Sequence, residues 1–140
     1  MLTINRLSLA DAHILIGGAR AKAEEIGVPM CIAITDESGQ LIAFERMDGG
    51  KITSTIIAQD KAYTAAGAKR STESYGTASQ PGQPAYGINS TIGGRLTVVA
   101  GGIPVIVEGE VVGGIGVSSG TPAQDHACAL AGIDRFLVEV

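Results

Sequence analysis

The chain has 140 residues, of which 45% are hydrophobic and 17% charged, with a formal net charge of −4. That length and composition describe one globular domain, residues 1–140, rather than a disordered segment. Its 10 Lys and Arg are scattered against 14 Asp and Glu, so no basic stripe is available for a nucleic-acid backbone.

No apolar run reaches the roughly 18 residues that a membrane span needs. The N-terminus has no basic segment leading into an apolar stretch, so a cytoplasmic protein is expected. Aromatic residues make up only 4% and Trp is absent; the core must come from Ile, Val, Leu and Ala. The 20 glycines sit between apolar runs and imply tight turns and close backbone approaches.

Ser8 opens the first predicted helix, its hydroxyl placed to cap the N–H of Asp11. Leu9, Ala12, Ile16, Ala19, Ala23 and Ile26 form the expected inner stripe, and Gly27 followed by Pro29 ends it. Met30–Thr35 reads as a strand, Asp36–Gly39 as a turn, and Gln40–Arg46 as the returning strand of a hairpin. Met47–Gly50 breaks that strand. Residues 53–69 and 71–78 are predicted helices, the first rich in alanine. Residues 79–95 form a loop long enough to be suspected of function, with a helical turn placed near Tyr86.

Three strands are then expected: Leu96–Ala100, Pro104–Glu108 and Val111–Ser118, the last two joined by a tight turn at Glu108-Gly109. Thr121-Pro122-Ala123-Gln124 opens the final helix as a capping box with Pro at its first position. Ala127, Leu130, Ala131, Leu137 and Val138 are its expected inner face. The order implies an α+β fold with a five-stranded antiparallel sheet and helices packed on it. Cys31 in a strand and Cys128 on a helix read as buried free thiols.

Several blocks, in this order, resemble the GlcG/HbpS family, which includes the C-terminal domain of PduO-type proteins. They are Asp36–Gly39 with Arg46–Gly49, Asp60–Ala65, Gly101–Pro104 and Gly114–Ser118, and the likeness runs from Leu7 to Leu137. Two positions depart from the family pattern: Gly50 stands where Ala is usual, and Ser119 is inserted between Ser118 and Gly120. The resemblance implies a profilin-like α-β-α sandwich that self-associates into dimers or larger rings. It also implies haem or another small ligand in some members, and in one branch a lyase that converts 4-hydroxylaminobenzoate to protocatechuate and ammonia.

The candidate chemistry is sparse. His13 on the first helix is a possible haem ligand, against an exposed or interface histidine. His126, beside Asp125, reads as a surface residue, and two histidines so far apart do not make a zinc site. Arg46 with Asp48 and Gly49 is either an anion clamp or a structural ion pair. Lys61 becomes a base or nucleophile if it is desolvated near the Arg46 block, and is otherwise an exposed helix lysine.

Tyr86 could stack on a planar ligand or simply pack its loop. Gly101-Gly102 offers a backbone nest for an anion, and Ser118 with Ser119 could hold a carboxylate at the last helix start or act as an extended cap. The leading expectation is a homo-oligomeric binding protein with haem as ligand. The rival is a cofactor-independent lyase or isomerase on a small aromatic carboxylate, held by Arg46, with Lys61 and Asp48 or a tyrosine moving protons.

Overall fold

A computed structural model describes residues 1–140. The capping box at Ser8 forms as the sequence requires: Ser8 Oγ accepts from Asp11 N and Asp11 Oδ2 accepts from Ser8 N, starting α1 (Leu9–Ile26). Gly27, at φ 71°, closes it in the left-handed region. Then come β1 (Cys31–Asp36), β2 (Leu41–Arg46), α2 (Ser54–Ala68), α3 (Thr72–Ala78), β3 (Gly102–Val107), β4 (Glu110–Ser118) and α4 (Pro122–Glu139). Short 3₁₀ turns at Ile88–Ser90 and Ile92–Gly94 interrupt the long loop. Asp36 organises the β1–β2 turn through Oδ1, which accepts from Ser38 N, Ser38 Oγ and Gln40 N. Glu108 and Gly109 both have positive φ in the β3–β4 turn, as the twist of a two-residue hairpin demands.

The sheet has four antiparallel strands in the order β2-β1-β4-β3, not five. Leu96–Ala100 forms no strand. Its branched residues suit one, but its backbone bonds elsewhere: Thr97 N donates to Thr64 Oγ1 on α2, and that hydroxyl donates to Arg95 O. Gly101, at φ 127°, turns the chain before the sheet begins. β3 is an edge strand, where Pro104 is tolerated.

Because side chains alternate along β1, Ile32 and Ile34 join the main core with α1 and α4. Cys31 and Ala33 pack with Ala58 and Ala62 of α2 on the opposite face. The fold is therefore a three-layer sandwich, α1 and α4 against one face and α2 against the other.

The helix faces differ in part from the expected ones. On α1, Leu15 is fully buried while Leu9 is exposed. On α4 the buried stripe is Asp125, Cys128, Ala129, Gly132, Ile133 and Phe136, so Leu130, Leu137 and Val138 point outward. The cause is close helix contact. A Cβ on Gly18 would meet Ala131 O at 2.8 Å, and one on Gly132 would meet Leu15 O at 2.6 Å. Glycine at this crossing sets which face of α4 meets α1, leaving Leu130, Leu137 and Val138 outside.

Both cysteines are free and fully buried, and burial raises both thiol pKa values, that of Cys128 to about 11. Neither thiol should react with a water-soluble disulfide reagent at pH 8 within minutes in the native chain, and both should react in urea. Rapid native labelling of either would contradict this packing.

Candidate functional site

α2 presents its small residues to the sheet, and Lys61 lies on that same stripe. Only 1% of Lys61 is exposed. Its ammonium donates to Asp125 Oδ2 and to Val117 O, both at 2.9 Å. Asp125 belongs to α4, on the other side of the sheet, so the lysine reaches through the layer. The gap lies at Gly101: a Cβ there would come within 2.8 Å of Lys61 Nζ and 2.9 Å of Asp125 Cβ. Desolvation lowers the Lys61 pKa, opposed by the hydrogen bond and charge of Asp125. The second carboxylate oxygen, Oδ1, accepts from Gly120 N at 2.9 Å, fixing the β4–α4 junction. Gly102 N donates to Thr72 Oγ1 at 2.9 Å, which fills the expected Gly101-Gly102 nest from within the protein.

The Arg46 block sits across β1 from the same junction, since Cys31 pairs with Arg46 on one side and Ser118 on the other. Arg46, Asp48, Gly49 and Lys51 are exposed. Arg46 and Asp48 form no ion pair with each other, and Arg46 and Lys51 have no carboxylate partner. Lys51 N donates to Ser119 Oγ at 2.9 Å, tying the Met47–Gly50 turn to the β4–α4 junction. Ser118 Oγ donates to Ser54 Oγ at 3.3 Å inside the protein. Ser119 holds φ at 117°, a region that costs a residue with a Cβ on the order of 1–3 kcal/mol.

Of the residues singled out from sequence, Lys61, Gly101, Gly102, Ser118 and Ser119 thus converge on one junction, with Arg46 and Gly49 at its outer side. His13 stands exposed on α1, and Tyr86 is 69% exposed on the long loop; neither joins them. Asp125 was not anticipated as a partner. Its signal was an acid on the same helical stripe as Cys128, Gly132 and Phe136, which calls for a buried cation.

A second feature had no sequence signal. α3, residues 98–100 and the start of α4 enclose an open groove of about 460 Å³, walled by Val98, Val99, Ala100, Pro122 and Gly76, with Glu73, Thr77 and Gln80 as its polar positions. Beside it, His126 Nδ1 is enclosed without a hydrogen-bond partner, and Glu73 Oε2 stands 3.6 Å away.

Against this geometry, the family described as haem degrading protein HbpS-like matches residues 7–134, and the chain belongs to that family. It is 38% identical to a 15.0 kDa protein, itself uncharacterised, from the dhaT–dhaS intergenic region of Citrobacter freundii, over 95% of this chain and 94% of that one. Among solved structures it is similar to the Klebsiella pneumoniae protein ORFY, with TM-score 0.95 and 34% identity, covering 98% of this chain and 94% of that one. It is also similar to the PduOC:haem complex, with TM-score 0.89 and 32% identity, covering 93% of this chain and 94% of that one.

The cross-sheet pair makes its own test. Lys61→Met leaves the Asp125 charge buried and unpaired, and should destabilise the chain by about 3–5 kcal/mol. Adding Asp125→Asn removes that charge yet keeps an oxygen for Gly120 N, so the double variant should recover much of the loss. Urea unfolding measures both, and a single-variant loss under about 1 kcal/mol, in the range of a solvated surface pair, would contradict the clamp.

Proposed function

We propose that this chain is a homo-oligomeric small-ligand-binding protein whose ligand is haem. The observation that carries the reading is the haem complex of a relative 32% identical over 93% of this chain. Haem needs apolar walls for its macrocycle, polar groups at the rim for its propionates, and a side chain that can ligate iron. The α3 groove offers an apolar wall, with Glu73 the one charged group in its lining. Val98, Val99, Ala100 and Pro122 supply that wall, and the groove's volume of about 460 Å³ falls within the roughly 300–1,000 Å³ of small-molecule sites. When bound, haem supplies the iron chemistry; the chain's part is to hold, orient and shield it. Arg46 and Lys51, exposed and without carboxylate partners, remain available to an anionic group at the junction beside it.

Self-association is supported by apolar surface left uncovered. Ile52, in the turn before α2, is 79% exposed, and Ile56, in the first turn of α2, is 61% exposed. Such a patch marks an interaction surface. The lyase reading draws less from the geometry. Its base would be Lys61, whose ammonium is sealed against Asp125 and Val117 rather than opposed to Arg46.

Two measurements test the proposal. Hemin titration should give a saturable Soret shift; a linear, non-saturating response would overturn haem as ligand. Sedimentation at micromolar concentration should give a mass above the 14.2 kDa of one chain, and Ile56→Glu should shift it toward the monomer. A wild-type monomer at all concentrations would remove the oligomer.

A further inference from the structure

We infer that the pocket between the end of α2, the β1–β2 turn and the 3₁₀ turn Ile92–Gly94 is a separate binding site. It takes a small uncharged molecule with a hydroxyl donor on a compact apolar body, a phenol or an alcohol. This goes beyond the haem reading and stands or falls apart from it.

The pocket holds about 150 Å³. An apolar cavity of about that volume takes one benzene, and it is well below the roughly 300–1,000 Å³ of larger ligand sites. Tyr63, Ala68, Ile92 and Leu96 form its apolar wall, with Ser38 and Thr64 as its hydroxyls. The wall is fixed from several sides. The Arg95 guanidinium lies 3.8 Å over the Tyr63 ring, and Arg95 Nε donates to Asp60 Oδ1 at 2.9 Å. Tyr63 and Asp60 both belong to α2, so the end of the long loop is pinned to that helix. A Cβ on Gly39 would come within 2.7 Å of Tyr63 Cδ2, so glycine there makes room for the ring edge. Ile92 holds φ at 54°, a region where a β-branched residue is an outlier. Arg95 N donates to Ile92 O and Gly94 N to Thr91 O, keeping it in place. Strain of this kind gathers at ligand sites.

The hydrogen bonding selects the ligand. Ser38 Oγ gives its proton to Asp36 Oδ1 at 2.7 Å. Thr64 Oγ1 gives its proton to Arg95 O at 3.2 Å and accepts from Thr97 N at 3.0 Å. Both hydroxyls have spent their donors and keep only lone pairs to offer. Gly67 and Ala68 are the last residues of α2, where carbonyls have no helical partner. The polar side of the pocket is therefore made of acceptors, and a partner must bring the proton. Charge is selected against. No Asp, Glu, Lys or Arg lines the pocket. The negative end of the α2 dipole disfavours an anion, and the guanidinium over Tyr63 disfavours a cation.

The test is calorimetric titration of the full chain with phenol, cyclohexanol, anisole, benzoate and benzylammonium. Phenol or cyclohexanol should saturate with a roughly millimolar Kd, as befits about seven heavy atoms; the tighter of the two says whether the body is aromatic or aliphatic. Anisole, which has no donor, should bind about fivefold more weakly than phenol. The two charged probes should give no saturable heat. Gly67→Leu should abolish binding with an unchanged or higher melting temperature, because a Cβ there meets nothing within 4 Å and glycine is unfavourable in a helix. Ser38→Ala should erase the preference for phenol over anisole while leaving anisole affinity unchanged, which a merely structural role would not do.

The site is overturned if neither hydroxyl compound saturates the wild type, or if Gly67→Leu binds as the wild type does. Equal affinity for phenol and anisole overturns the donor requirement, and benzylammonium binding more tightly than phenol overturns the uncharged ligand. Hemin titration bears on none of these outcomes, so the haem reading and this one can fail separately.

Discussion

A charge carried through the sheet governs this structure. Lys61 starts on the α2 face and ends at a carboxylate of α4 on the opposite face, with Val117 O as its second acceptor. Burying two charges costs several kcal/mol per ion, and their attraction offsets this only when geometry and further hydrogen bonds are good. Those conditions explain much of the glycine in the chain. Gly101 must lack a side chain to let the ammonium pass. Gly102, Gly114 and Gly116 bring the sheet against the α2 backbone, where an added Cβ on Gly114 would meet Ala62 O at 2.5 Å and one on Gly102 would meet Lys61 O at 2.5 Å. The alanines of α2 are the other half of that contact. With so little side-chain volume between helix and sheet, a lysine can span the layer.

The same economy of volume shapes the other face. Glycine at the α1–α4 crossing brings these helices close and turns α4 so that its leucines point to solvent. The small second core against α2 is built from short side chains, Cys31, Ala33, Ala58 and Ala62, and apolar surface is left on both outer layers. The exposed Ile56 and Ile57 of α2 lie on the helix side away from the small residues that meet the sheet.

What was legible in the sequence was local. The capping boxes at Ser8 and Thr121, the Asp36 turn, the two-residue turn at Glu108-Gly109 and the end of α1 at Gly27 each depend on a few neighbouring residues. What was not legible was relational. The Leu96–Ala100 run has strand propensity, but the backbone N–H of Thr97 is taken by the Thr64 hydroxyl of α2, which itself donates to Arg95 O. The inner face of α4 could not be chosen from its apolar residues, because the deciding contact is a glycine against the backbone of α1. Lys61 was visible as a lysine among alanines, yet its partner needed the two helical layers to be placed first. The α3 groove was invisible because its walls come from segments that individually read as a short helix, a loop and a cap.

Gly50 and Ser119, the two positions set apart in the sequence, meet in space. Lys51 N, next to Gly50, donates to Ser119 Oγ. A Cβ on Gly50 would lie 3.1 Å from Met47 O and 3.4 Å from Cys31 Sγ, tight enough that an alanine would press the turn away from β1. Glycine lets the turn sit low, and sitting low brings Lys51 N to the serine. Ser119 in turn holds a backbone conformation unfavourable for any residue with a side chain, and its hydroxyl contact offsets part of that cost. Its neighbour Gly120 donates to the carboxylate that pairs with Lys61. The exposed cations of the turn are therefore tied, through one strained serine, to the buried charge that joins the layers. A ligand that moved the Arg46–Lys51 turn would pull on the same junction that holds the start of α4 and the wall of the groove.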